Sequence, residues 1–285
     1  MSKGKIKSPE QLRRERKIRS FLYYLLLCVV AFVCIFPFVV MILGSFSTVT
    51  TQIMDPFFWI PKEFTLNNWI TFMSSPRLLN WVKNSLIYTL IPVACCILTC
   101  PLVGYILAKK RFKGRNFIFM MFMSMMLIPS MATMVPTYVF YSKLGFINTY
   151  WAILVPGFWS ISNMFLMRQY MSSVPNALIE AAAIDGSGEF RTYFTIVFPM
   201  LKTPIAVMGV FSFLTFWGQF LNVTIYQNNA DMYNLVVGVA TMVQKDGNFA
   251  MSMTSSCVTM IPVFILYVCC QKYFIEGINM SGIKG

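Results

Sequence analysis

The sequence predicts an all-α polytopic membrane protein with six transmembrane helices and both termini in the cytoplasm. Three observations carry that prediction. The 285 residues are 57% hydrophobic and only 12% charged, about half the charge of an ordinary soluble domain. Stretches free of Asp, Glu, Lys and Arg lie at 20–54, 84–108, 116–142, 144–167, 203–230 and 247–271. Each exceeds the roughly 18 apolar residues that mark a membrane-spanning helix. The 23 basic residues are divided unevenly between the segments that link them.

Within these stretches the helices are expected at 21–43, 85–108, 117–141, 147–167, 203–222 and 252–273. Lipid offers no hydrogen-bond partner, so each backbone must be satisfied within its helix or by a neighbour. With the N-terminus inside, the inner segments hold 18 of the 23 Lys and Arg, among them Lys109, Lys110, Arg111, Lys113 and Arg115. Only Lys62, Arg77, Lys83, Lys143 and Lys245 fall outside. This asymmetry is the positive-inside pattern. The basic N-terminal tail therefore reads as a topology determinant rather than a nucleic-acid arm, and no nucleic-acid partner is expected. The first apolar run is too long for the core of a signal peptide and reads as a retained anchor.

Composition also excludes chemistry. The chain has no histidine, which removes Ser-His-Asp hydrolysis and most zinc sites. No Walker A pattern occurs, so the chain does not hydrolyse ATP by the P-loop route. All eight cysteines lie inside predicted spans and read as small packing residues, with no metal site and no catalytic residue expected. The six charge-free stretches contain no Asp, Glu, Lys or Arg, whereas proton-driven carriers use intramembrane ionisable groups. A solute moved by this chain is expected to be uncharged and driven from elsewhere.

Each predicted helix contains or starts with proline, at Pro37, Pro92, Pro101, Pro129, Pro136, Pro156, Pro204 and Pro262. Such bends suit a cavity and are equally ordinary in membrane helices. The seven methionines of Met120–Met134 read as adaptable filler. In the outer loops, 44–83 and about 223–250, Trp59, Trp69, Trp81, Tyr226 and Tyr233 stand where aromatic rings anchor at headgroup level. An interfacial helix is expected around Leu66–Met73.

The longest inner loop runs from Arg168 to Lys202. Pro175 suits a first helical turn, the alanines that follow extend the helix, and Gly186 suits a left-handed stop. Ser187 can cap a second helix that runs to Pro199. At 100° per residue, Ala177, Glu180, Ala181 and Ile184 share one face, with Leu178, Ala182 and Asp185 opposite. One carboxylate among small side chains makes a low knob for a partner's groove; packing against the chain's own spans is the other reading.

Glu180, Ala181, Ala182, Gly186, Ile196 and Pro199 stand at the spacing E-A-A-x3-G-x9-I-x-L-P, with Phe198 where leucine is usual. This resembles the EAA loop of integral-membrane subunits of ATP-binding-cassette (ABC) importers. More of the chain is similar to the maltose-type (MalG-like) carbohydrate permeases among them. The similar parts are FFWIP at 57–61, FTLNNW at 64–69, Asn84 with Ser85, Gly104, Tyr105, Ala108, the turn FKGR at 112–115, and QKYF at 271–274 with Gly277 and Gly282–Gly285. The chain departs at Trp217, Gly218, Gln219 and Phe220, where Trp-Asn is common.

The resemblance implies an ABC type-1 (MetI-like) permease fold. It implies a basic cytoplasmic tail at 1–20, a first helix and extracellular loop at 21–83, a transmembrane core at 84–274 containing the EAA loop at 174–199, and a C-terminal tail at 275–285. It also implies a second permease subunit in a heterodimer, an ATPase dimer carrying the ATP and Mg, and an extracellular solute-binding protein. This chain itself would hold no cofactor. Glu180, Ala181, Ala182, Asp185, Gly186 and Pro199 would meet the ATPase, with Gly282, Lys284 and Gly285 as a second contact. The substrate would be a sugar, an oligosaccharide by family type. Sugars are held by aromatic faces and neutral hydrogen-bonding groups, which makes Trp159, Asn163, Trp217, Gln219 and Asn222 the candidates along the path, each of which could equally be a packing group. Import of another neutral or anionic solute, a membrane-embedded transferase and a passive channel remain as alternative readings.

Overall fold

A computed structural model describes residues 9–48, 60–61, 63–246 and 249–282. Phe57–Trp59, Lys284 and Gly285 lie outside the described residues. In chain order the helices are α1 (Pro9–Gly44), α2 (Asn67–Met73), α3 (Leu78–Lys109), α4 (Arg115–Met125), α5 (Ser130–Lys143) and α6 (Trp151–Leu154). They continue with α7 (Ile161–Ser172), α8 (Asn176–Ile184), α9 (Glu189–Thr192), α10 (Phe198–Met200), α11 (Lys202–Trp217), α12 (Leu221–Tyr226), α13 (Leu235–Asp246) and α14 (Phe249–Gly282). No strand occurs among the described residues.

Three of these helices, α1, α3 and α14, are long and apolar enough to cross a membrane unbroken. Two bent pairs, α4 with α5 at 96° and the segment 189–200 with α11 at 79°, raise the number to five. The expected helices at 117–141 and 147–167 are not continuous. The first breaks at Met126–Pro129, where Pro129 is extended (ψ 129°) and opens α5, as a ring without N–H does best at a helix start. The second becomes α6, a 3₁₀ turn at Val155–Gly157 around Pro156, and then α7. Ser160 caps α7, its hydroxyl accepting from the Asn163 amide at 3.4 Å. The fifth expected helix stops at Trp217 rather than 222, and the expected loop at 223–250 carries α13.

The chain divides into two compact units. In the first, Met1–Met73 with Gly247–Val258, a buried polar knot forms where α1 ends. Asn68 donates to the Ser45 and Ser47 carbonyls at 3.3 and 2.9 Å, Thr254 donates to Ser45 O at 3.1 Å, and the Trp69 indole donates to Ser45 Oγ at 3.2 Å. Exposed carbonyls past a helix end thereby gain partners. The expected interfacial helix is α2, and Trp69 belongs to this knot.

In the second unit, Ser74–Asp246 with Thr259–Gly285, α3 is the axis. Near its start, Asn84 donates to Asp231 O and Tyr233 O at 2.8 and 2.9 Å, and Tyr88 donates to Met232 O at 3.0 Å. The Trp81 indole donates to Ala230 O at 3.0 Å, and its ring lies flush on α13 at Gly238. Trp81 and Tyr226 are buried, so these two rings pack inside rather than anchoring at headgroups as their loop positions predicted. Midway along α3, Cys96, Thr99 and Cys100 donate to the carbonyls of Gly157, Phe158 and Ser160 at 3.3, 3.0 and 3.6 Å. These carbonyls belong to the interrupted fourth stretch. The two cysteines pack with Met167, Met208 and Phe216, in line with their reading as packing residues.

Gly104 sets the distance between α3 and α7. A Cβ there would lie 2.9 Å from the Arg168 amide nitrogen and 3.0 Å from Met167 Cβ, closer than backbone can yield. At Gly209 of α11 a Cβ would meet only Ile97 Cδ1 at 3.5 Å, ordinary contact. Gly104→Ala is expected to destabilise the protein by about 1–3 kcal/mol through overpacking. Gly209→Ala should be neutral or stabilising, by up to ~1 kcal/mol of helix propensity. Thermal unfolding of the detergent-purified variants separates the two.

Candidate functional site

The loop between α7 and α11 is built onto the end of α3. Pro175 is extended (φ −62°, ψ 130°) and separates α7 from α8, so it stands just before the helix rather than in its first turn. Lys109 fastens this joint, its ammonium donating to Val174 O at 2.6 Å and to Asn176 Oδ1 at 2.9 Å. Its neighbour Lys110 pairs with Glu189 at the start of α9 and lies 5.6 Å from the centre of the Tyr105 ring. Partial burial pulls the Lys110 ammonium down, but the Glu189 hydrogen bond and charge outweigh it and leave the group above the usual lysine range.

Beneath α8 lies a cluster of Tyr105, Met171, Val174, Tyr193, Val197 and Leu201, with Ile179 packed on it. Ala182 is buried, while Ala177, Glu180, Ala181 and Ile184 are exposed, Ile184 at 87%. The face expected from the helical period is thus the face turned outward. On the opposite side the pattern holds only for Ala182, since Leu178 and Asp185 are exposed. Among the described residues Glu180 has no hydrogen-bond or ion-pair partner. A carboxylate on a rim of alanines, with an isoleucine beside it, is a surface shaped for contact rather than for solubility.

The helix ends as expected. Gly186 is left-handed (φ 77°), its amide donating to Ala183 O at 3.1 Å and the Ser187 amide to Ala182 O at 2.9 Å. This is the double bond pattern of a Schellman stop, where glycine pays no Cβ penalty. Nothing lies within 4 Å of the position a Cβ would take. The second cap differs from expectation. Gly188 precedes α9, and Ser187 instead accepts from Thr192 Oγ1 at 3.1 Å. The helical run also continues past Pro199 to Met200, after a π turn at Tyr193–Val197 that widens the backbone ahead of the proline ring.

The substrate-path candidates separate. Asn163 lines a cavity of about 440 Å³ between α7 and α11, with Ser160, Ser162, Ser212 and Thr215 on its polar side and Phe165, Phe211 and Phe216 on the other. Asn163 Nδ2 donates to Ser212 Oγ at 2.8 Å. The four other candidates are not part of that lining. Trp217 is buried and donates to Thr259 O at 3.1 Å, which is a packing role. The Gln219 carbonyl accepts from Asn234 Nδ2 at 2.6 Å, and its side-chain oxygen is buried without a partner. Asn222 is exposed, and Trp159 packs edge-on against Phe122 at 5.4 Å. The cavity hydroxyls and Phe211 were missed in the sequence. Ser212 and Thr215 are polar residues in an otherwise apolar run, a weak signal that a register on α11 could have found. Lys109 and Lys110 were read only as topology determinants.

The family described as "Binding-protein-dependent transport system inner membrane component" matches residues 101–279. The arabinooligosaccharides transport system permease protein AraQ of Halalkalibacterium halodurans is 32% identical over 277 residues, covering 96% of this chain and 99% of that protein. The multiple sugar-binding transport system permease protein MsmG of Streptococcus mutans is 30% identical, with 96% and 100% covered. A crystal structure of a bacterial ABC transporter involved in import of the acidic polysaccharide alginate superposes with a TM-score of 0.78 at 19% identity, covering 95% of this chain and all of that one. That likeness concerns the fold. The chain belongs to the inner-membrane components of binding-protein-dependent transport systems, among the MalG-like ABC sugar permeases, which are non-catalytic subunits.

Proposed function

We propose that this chain is one of two different permease subunits of an ATP-driven importer in the cell membrane, forming half of the pathway for a neutral oligosaccharide. A dimeric ABC ATPase holds the ATP and Mg, an extracellular solute-binding protein delivers the sugar, and this chain holds no cofactor. It crosses the membrane six times with both termini cytoplasmic, and the interrupted segment 147–172 supplies the sixth crossing.

The outward face of α8 carries this reading. Ala177, Glu180, Ala181 and Ile184 are exposed on a helix whose Ile179 packs on the Tyr105 cluster, whose start is held by Lys109, and whose neighbour α9 is held by Lys110. An ATPase cleft that closes around this face moves α8 as a rigid piece and α3 with it. Glu180 pairs with a basic group or helix N-terminus of the ATPase, Asp185 flanks it, and Gly186 and Pro199 bound the moving segment. Gly282, Lys284 and Gly285 form a second contact on the same side. The α7–α11 cavity supports the neutral substrate, since hydroxyls, one amide and phenyl rings line it and no charged side chain does. The arabinooligosaccharides and multiple-sugar names of two relatives support the oligosaccharide.

The deciding experiment is uptake of labelled arabino-oligosaccharides by the reconstituted complex with and without ATP. Uptake that needs neither ATP nor an ATPase subunit overturns the reading. In the same assay Glu180→Ala is expected to lower uptake at least about tenfold, the scale of losing one partner of a buried charged pair, with membrane insertion unchanged. Unchanged uptake removes Glu180 from coupling. Gly186→Ala should weaken ATPase docking through ~1 kcal/mol of left-handed strain, whereas Gly188→Ala (φ −66°, open space) should not. Asn163→Ala is expected to raise the KM for uptake about two- to tenfold, the worth of one neutral hydrogen bond, while ATP turnover without sugar stays at the wild-type rate.

A further inference from the structure

The basic turn between α3 and α4 contains a site of a different kind. Of its five cations, Lys109 and Lys110 are committed to α8 and α9. The other three are not paired with any acid among the described residues. Arg115 only donates to Lys110 O at 3.2 Å. Arg111 and Lys113 are exposed and have no partner among the described residues. Lys110 of the same turn has a carboxylate partner in Glu189, as Arg77 has in Asp231. Arg111, Arg115, Asn116, Phe112 and Phe117 line an open surface cleft of about 320 Å³ with no acidic residue in its wall.

The surroundings say which anion belongs there. The cleft sits where α3, an apolar helix long enough to span, ends and apolar α4 begins. No residue of α4 is buried, and Phe117 at its first turn is 69% exposed. Two guanidinium groups offer forked donors that match phosphate oxygens, and an amide side chain stands beside them. The exposed phenyl rings beside them suit the boundary between headgroup and acyl chain. A soluble anion would use the cations and leave the rings in water. A phospholipid uses both.

We propose that this turn is a binding site for the phosphodiester headgroup of an anionic phospholipid, held by Arg111 and Arg115 with Lys113 adding charge, and with Phe112 and Phe117 against the glycerol and upper acyl region. The site depends on the chain lying in a membrane and not on the importer reading. Basic groups at such a surface each strengthen attraction to anionic lipid, so occupancy follows the lipid composition of the leaflet in which the turn lies.

The test uses the protein extracted with its native partners and exchanged into nanodiscs of phosphatidylcholine alone or of phosphatidylcholine with phosphatidylglycerol. Native mass spectrometry then reads retained lipid. Wild type is expected to retain phosphatidylglycerol selectively, and Arg111→Gln with Lys113→Gln to weaken that retention roughly 30-fold, two charges' worth. Arg115 is left in place because it also holds the turn. Arg111→Lys alone should keep binding, which shows that the turn still folds. Lys17→Gln with Arg19→Gln on α1 removes the same charge elsewhere and should leave retention at the wild-type level. Equal loss in both double variants means bulk charge and overturns the site. Retention displaced as readily by inorganic phosphate, or loss of a partner subunit in place of lipid, overturns the lipid assignment.

Discussion

Backbone groups in a membrane have no water to fall back on, and the placement of polar side chains in this protein follows from that constraint. A carbonyl left free in hydrocarbon costs several kcal/mol, yet the chain interrupts its helices repeatedly. The interruptions at 155–160 and 227–234 are answered by one helix. Asn84 and Tyr88 of α3 donate to the carbonyls of 231–233, and Cys96, Thr99 and Cys100 donate to those of Gly157, Phe158 and Ser160. Ser85 completes the set by accepting the Leu235 amide at 2.7 Å. These polar side chains of α3 supply partners to backbone groups where its neighbours break.

The same helix ends at the inner loop. With 32 residues at 1.5 Å rise, α3 runs about 48 Å, from the strap at 230–235 to the lysines that hold α8 and α9. Gly104 brings α7 close beside it, and the cluster under α8 draws Tyr105 from α3, Met171 from α7 and Leu201 from the start of α11. Packed side chains and charged hydrogen bonds thus join α8 to α3, α7 and the start of α11. On the proposed reading these contacts are the route by which work done on the loop reaches the α7–α11 cavity and opens a path for the sugar.

The helical class and the long apolar stretches were legible because composition and charge gaps report burial in lipid directly. The stop at Gly186 and the outward face of α8 were legible because a left-handed glycine and a 3.6-residue period are local properties. The breaks within 117–141 and 147–167 were not. Charge-free length cannot distinguish a straight helix from two half-helices, since Pro129 and Pro156 break their segments while Pro37, Pro92, Pro101 and Pro262 sit inside continuous helices. Trp81 and Tyr226 were misplaced for a related reason. Both lie in helices, α3 and α12, and their burial comes from Gly238 and from Tyr138 and Tyr141, partners far away in sequence.

The sequence by itself determined that the chain is a helical membrane protein, which loop carries the alanine-rich knob, and where that knob stops, because these follow from composition, period and backbone freedom. Only the tertiary structure decided which polar residues are structural and which line a cavity. Trp217 and Asn163 look alike in the sequence as neutral donors in apolar runs. One donates to a carbonyl of α14 and the other reaches Ser212 at the edge of an open volume, and that difference lies in which groups stand opposite them in space.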